Sequence, residues 1–128
     1  MTQDRPIAGI FTYKSHTAYR GHVSYQGVDL ATGTVLFSEQ AGNGVPSVGE
    51  FLALAAAARY ILEHRYNPAV IYASNTTAIG WYRAGRASVR RRCPDVLRAE
   101  VFLCLMGAPL ALVEIRHWGD APADFGGN

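Results

Sequence analysis

The chain of 128 residues has only two cysteines, one lysine and two tryptophans, and each shortage excludes something. Cys93 and Cys104 are too few for a disulfide scaffold and match no zinc spacing, so a small stapled secreted domain is not expected. No apolar run approaches the roughly 20 residues of a membrane span. The longest, Val101 to Val113, is broken by Gly107, Ala108 and Pro109. The opening MTQDRPIAG lacks the basic-then-apolar layout of a signal peptide, which makes a reducing cytoplasm the expected compartment. Nucleotide-binding glycine loops, serine-nucleophile elbows and histidine ligand spacings are also missing. His16, His22, His64 and His117 therefore do not read as a histidine metal triad.

What is there is the content of one globular domain, with 49% apolar and 17% charged residues, and residues 1–128 are expected to form a single unit. The net charge is only +2, but its placement is uneven. Eleven of the twelve cations are Arg, and Arg83, Arg86, Arg90, Arg91, Arg92 and Arg98 fall in one window opposed only by Asp95. That window carries +5 and the remainder −3. Arg without Lys suits forked contacts to phosphate, so Arg83, Arg86, Arg90, Arg91 and Arg92 are the candidate nucleic-acid-binding residues, the other reading being a solvated face.

Hydrophobic patterning predicts a strand over Ile7 to Tyr13, a second over Tyr19 to Leu30, a turn at Ala31 to Thr34, where Asp29 serves as a turn residue, and a third strand from Val35 to Phe37. Such short connections give an antiparallel meander. Ser47 to Glu50 reads S-x-x-E, the capping-box pattern, and opens a helix whose Phe51, Leu54, Ala58, Ile61 and Leu62 share one face directed at the meander. Asn67 and Pro68 stop it. Ala69 to Ala73 is a short apolar strand of the doubly buried kind, parallel to an earlier strand because a helical crossover reaches it. Ser74 or Asn75 then caps a second helix through Trp81 and Tyr82. A basic loop over Gly85 to Pro94, a helix over Asp95 to Met106 and a last strand near Leu110 to His117 complete the order. The fold class is α/β: a five-stranded mixed sheet, three antiparallel strands beside two more, with helices packed on it. Trp81, Trp118, Cys93 and Cys104 are assigned to the structure rather than to a site.

Four segments, YQGVDLATGTVLF (Tyr25 to Phe37), VGEFLALAAAARYI (Val48 to Ile61), IYASNTTAIGWYR (Ile71 to Arg83) and WGDAPADFGG (Trp118 to Gly127), resemble the ribonuclease H family. In particular they are similar to its short bacterial members with a WG-x-x-PADFG tail, and the likeness spans nearly the whole chain in order. It implies a ribonuclease H-like fold, an RNA/DNA-hybrid substrate and two Mg²⁺ or Mn²⁺ ions held by four carboxylates. Hard divalent ions need anionic oxygens, and two ions can stabilise both the attacking and the leaving oxygen of an in-line displacement.

Carried onto this chain, the family's helical Glu falls on Glu50 and its C-terminal Asp on Asp124, the implied catalytic and metal-binding residues. The other two positions hold Tyr13, in GIFTYKS, and Ser74, in IYASN. Two carboxylates supply −2 against the +4 of two ions, and each lost charge at about 4 Å is worth roughly 4 kcal/mol at an effective dielectric of 20. A neutral phenol or hydroxyl does not replace it. Glu50 has a second reading as the capping partner of Ser47, and Asp124 one as a solvated tail residue. Asp120, four residues before Asp124, is a candidate replacement ligand, and His117 a candidate site residue.

The expectation is therefore a nucleic-acid-binding ribonuclease H-like protein, for RNA/DNA hybrid or duplex, with a degenerate, weakly metal-binding site and lost or weakened cleavage. The alternatives are an active atypical hybrid endoribonuclease using Glu50, Asp124 and a third ligand, and a protein-interaction module on the same fold.

Overall fold

The computed structural model describes residues 6–19, 22–41, 45–90 and 92–119. Strands β1 (Ile10–Tyr19), β2 (His22–Asp29) and β3 (Val35–Ala41) form the antiparallel meander. Helix α1 (Pro46–His64) then crosses to β4 (Val70–Ala73), which pairs parallel with β1. After α2 (Thr76–Ala84), α3 (Pro94–Leu105) and the single turn α4 (Gly107–Leu110), β5 (Glu114–His117) pairs parallel with β4. The sheet order is β3-β2-β1-β4-β5, three antiparallel strands beside two parallel ones as the patterning predicts.

Local chemistry explains the boundaries. Asp29 turns β2 into β3: its carboxylate accepts from the Ala31 N–H at 3.3 Å and the Thr32 hydroxyl at 2.8 Å, and Gly33 takes a positive φ of 77°. The Tyr66 hydroxyl lies 2.6 Å from the same carboxylate, a bond that holds the Asp29 carboxyl below its ordinary range. A Cβ at Gly27 would sit 2.3 Å from the Phe37 ring, so any larger residue there would displace that ring.

Three expectations about helix and strand boundaries and faces are corrected. Ser47 and Glu50 form no capping box: the helix begins earlier, at Pro46, with Val45 as an N-cap that makes no side-chain bond. Pro is suited to that first turn, where its missing N–H would be unpaired anyway. Second, α1 is not one-sided. Residues from Val48 through Ala55 are all buried, since α1 touches β1, β2 and β4 on one side and α2 and α3 on the others. Its alanines let those helices approach. Third, the last strand starts at Glu114 rather than Leu110, because Gly107–Leu110 closes one helical turn instead.

The core lies between the sheet and α1, centred on Ile10, Phe51, Leu54 and Ile71. Trp81 meets Phe51 edge-on at 6.2 Å, and Trp118 meets Phe11 and Tyr72 at 5.2 and 6.3 Å, so both tryptophans are structural. Cys93 is buried, but Cys104 is exposed on α3, contrary to a structural assignment.

Candidate functional site

Parallel pairing of β1, β4 and β5 brings their C-terminal ends to one edge of the sheet, next to the first turns of α1. There Glu50 is 6% exposed, the one buried acid among the described residues. Its Oε1 has no hydrogen-bond partner. Burial pushes its carboxyl above the ordinary range, and the charge of Lys14 and a hydrogen bond from Asn75 pull the other way.

Lys14 reaches this place by strand alternation. It pairs with Tyr25, a core residue on the α1 side of the sheet, and follows Ile10 and Thr12, both fully buried, at two-residue steps. Tyr13 therefore lies on the opposite side of β1. Its ring stacks on Phe11 at 5.7 Å, and burial raises its phenol pKa.

Ser74 follows the last residue of β4 and is exposed. Its carbonyl lies 3.1 Å from His117 Nε2, at the end of β5. Asn75 is the N-cap of α2: its Oδ1 accepts from the Ala78 N–H at 2.9 Å, while its Nδ2 donates to the Ser47 hydroxyl at 3.4 Å. So Ser47 and Glu50 from α1, Ser74 and Asn75 from the β4–α2 junction, His117 from β5 and Lys14 from β1 share one neighbourhood. Asp124 and Asp120 lie outside the described residues.

The acid–base character of this cluster is the reverse of a divalent-ion cage. Among the described residues Glu50 is its one carboxylate, Lys14 is an ammonium on the same side of the sheet and Ser74 is neutral, while Tyr13, expected to join them, faces the other side of β1. Among the described residues, no three His, Cys, Asp or Glu side chains come together as a metal-ligand set. The orphaned Oε1 offers one anionic donor, but a pair of Mg²⁺ or Mn²⁺ ions does not fit one carboxylate accompanied by a resident ammonium. No chemical step through a metal is derived from these residues.

The arginines divide into two groups. Arg92 is half-buried, ion-paired with Glu100 of α3, and donates to the Ala87 carbonyl at 3.0 Å. Glu100 also accepts from the Ala87 N–H at 2.9 Å, so this pair fastens the loop between α2 and α3. Arg83 donates to the Ile115 carbonyl at 3.1 Å and ties α2 to β5. Arg86 and Arg90 are exposed, and Arg91 lies outside the described residues. Patterning alone singled out neither Lys14 nor the clasping role of Arg92. Lys14 was findable as the only lysine, two steps beyond buried Thr12 on the same face; the Arg92–Glu100 pair joins two elements and leaves no local signal.

No family model matches the sequence. Among solved structures, the chain is similar to LC11-RNase H1, isolated from compost by a metagenomic approach, with a TM-score of 0.55 at 12% identity over 87% of this chain and 83% of that one. It also aligns with the N-terminal RNase H domain of a Mycobacterium tuberculosis protein (TM-score 0.49, 11% identity, 91% and 90% covered). A third alignment is to RNase H1 of the archaeon Halobacterium salinarum (TM-score 0.43, 14% identity, 84% and 81% covered). The compost enzyme, with the strand order and helix placement described above, establishes the architecture: the chain has the ribonuclease H fold.

Proposed function

We propose that this chain is a nucleic-acid-binding protein of ribonuclease H type, for RNA/DNA hybrid or duplex, in which two-metal cleavage is lost or much weakened. The observation that carries the reading is the electrostatic proximity of Lys14 to buried Glu50 at the sheet edge, beside neutral Ser74. A carboxylate whose counter-charge comes from the chain itself has little left to offer a divalent ion. Asp124 and Asp120 would add anionic donors only against that resident cation.

Binding falls to the basic loop. Arg86 and Arg90 are exposed, with guanidinium groups suited to phosphate oxygens; Arg91 adds a third such group in the sequence, and Arg83 stands at the start of the same run. Arg92 contributes by holding the loop in shape. Because phosphate contacts release counterions, affinity of this kind falls steeply with salt.

The test is fluorescence anisotropy with a labelled RNA/DNA hybrid and a labelled duplex over a salt series, alongside a cleavage assay with Mg²⁺ on the same hybrid. The native protein is expected to bind without cutting, and Arg86→Ala/Arg90→Ala/Arg91→Ala to lower the slope of log affinity against log salt by about 2 to 3. Equal binding by the triple variant at every salt concentration defeats the binding half of the reading. Robust native cleavage abolished by Glu50→Gln defeats the other half.

A further inference from the structure

Glu50 and Lys14, the two charges described at the sheet edge, differ in what they show to solvent. Glu50 is buried and its Oε1 is sequestered. Lys14 is half-buried, and a lysine at that depth buries its stem while the ammonium stays in water. A carboxylate that holds divalent ions must turn its oxygens towards them. Here the inner charge is the acid and the outer one the cation, so a strand of nucleic acid approaching this edge meets an ammonium.

The strand layout leaves room for that approach. β4 pairs with β1 at Ile10 and Phe11, and after Ala73 the chain turns away into α2. Lys14 lies beyond the last of these pairs, where β4 no longer flanks β1.

The charge is also unspent. Arg59, Arg92, Arg98 and Arg116 are each ion-paired with an acid of the chain. Among the described residues Lys14 forms no ion pair and donates no hydrogen bond, and Glu50 acts on it through space alone.

We infer that Lys14 is a phosphate contact: its ammonium donates to a backbone phosphate oxygen of the bound hybrid or duplex, and the strand seats on the sheet edge with this resident cation in place of divalent ions. This rests on the nucleic-acid reading above and adds a second point of contact to the basic loop. The two points suit one duplex. α2 leads from Asn75, which bonds Glu50, to Gly85 at the head of the loop, and its nine residues span about 13 Å. Each strand of a duplex advances about 3.4 Å along the axis per phosphate, so roughly four steps cover that distance.

Lys14 is the chain's only lysine, which makes the native protein its own probe. Acylation by an amine-reactive ester, read by mass spectrometry on the Lys14 peptide, should slow severalfold when the protein is saturated with RNA/DNA hybrid in EDTA. Lys14→Met should bind the hybrid about three- to tenfold more weakly and lower the slope of log affinity against log salt by about 1, and Lys14→Arg should keep both near native. Circular dichroism gives the folded fraction of each variant, to which its affinity is normalised. Native affinity in EDTA should equal or exceed that in millimolar Mg²⁺, because ions that find no seat on the protein only screen the phosphates. Lys14 acylated at one rate with and without saturating hybrid, Lys14→Met binding like the native protein at every salt concentration, Lys14→Arg as weak as Lys14→Met, or an affinity that rises with Mg²⁺ each overturns the Lys14 contact. The basic loop survives those results if Arg86→Ala/Arg90→Ala/Arg91→Ala still lowers the salt slope. A native protein that binds neither hybrid nor duplex overturns both.

Discussion

Lys14 stands within electrostatic range of Glu50, the chain's only lysine set beside the one buried acid among its described residues. Neither charge is comfortable alone. A buried carboxylate with an unpartnered oxygen loses hydration, and an ammonium nearby recovers part of that loss without direct contact.

Since burial outweighs Lys14 and Asn75, the folded carboxyl of Glu50 titrates above its ordinary 4.5. The folded state then binds this proton more tightly than the unfolded state does. Its contribution is fully present below pH 4.5 and is lost as pH rises through the folded value. At neutral pH the charged Glu50 thus costs stability, and Glu50→Gln should stabilise the protein by about 1 kcal/mol. The gain should shrink as pH falls towards 4.5. Urea unfolding of both proteins from pH 4 to 8 measures it, and a native protein more stable than Glu50→Gln at pH 7 would reverse the assignment.

The same pair predicts the response to metal. Lys14→Met should destabilise the native protein but not Glu50→Gln, with a coupling of about 1 kcal/mol in the double-mutant cycle. Millimolar Mg²⁺ should shift the native Tm by less than about 2 °C, since an ion that binds weakly contributes little linkage. A large Mg²⁺-dependent rise in native Tm would mean that the remaining carboxylates, Asp124 or Asp120, complete a cage after all.

Arg92 is expected to behave as a structural residue. Its removal leaves Glu100 partly buried without its cation and frees the Ala87 carbonyl, so Arg92→Ala should cost about 2 kcal/mol. Hydrogen exchange at the Ala87 amide, which Glu100 also holds, should accelerate. Arg86→Ala should move neither quantity while weakening nucleic-acid binding. If Arg92→Ala leaves both stability and exchange unchanged, the clasp is not holding the loop.

Most of the architecture was readable because it rests on local periodicity. The meander, the crossover helix and the two parallel strands each leave a two- or three-to-four-residue signature within a few residues of chain. The capping box misled because Pro46 offered an earlier start, and the pattern S-x-x-E does not record which of two starts wins. The breadth of α1 burial was invisible for a related reason: a run of alanines reads as neutral in a helical pattern, and only the helices packed on it show that every side is covered. The site was half legible. The family resemblance points to Glu50 and Ser74, which share the neighbourhood, to Tyr13, which faces the other side of β1, and to Asp124, which lies outside the described residues; the proximity of Lys14 to Glu50 depends on which side of β1 each residue takes relative to α1. The Arg92 clasp similarly depends on two elements meeting.

Placing carboxylates at positions 13 and 74 is the sharpest test of the proposed loss of cleavage. Native protein should show no detectable hybrid cleavage with Mg²⁺. Tyr13→Asp/Ser74→Asp returns two carboxylates, and measurable cleavage is expected from it, but a limited amount. One reason is packing: the Tyr13 ring stacks on Phe11, so its removal opens space on that side of β1 and should cost about 2 kcal/mol. The other is placement: the Tyr13→Asp carboxylate starts from the far side of β1, and Lys14, on the Glu50 side, would oppose a divalent ion held between Glu50 and the Ser74→Asp carboxylate. Adding Lys14→Ala should therefore raise the activity of the double variant, although by itself it introduces no ligand and should leave the native chain inactive. Single-turnover cleavage of a labelled hybrid by native, double and triple variants, each normalised to its folded fraction, orders the three. A triple variant no more active than the double would show that Lys14 is not what keeps a metal out.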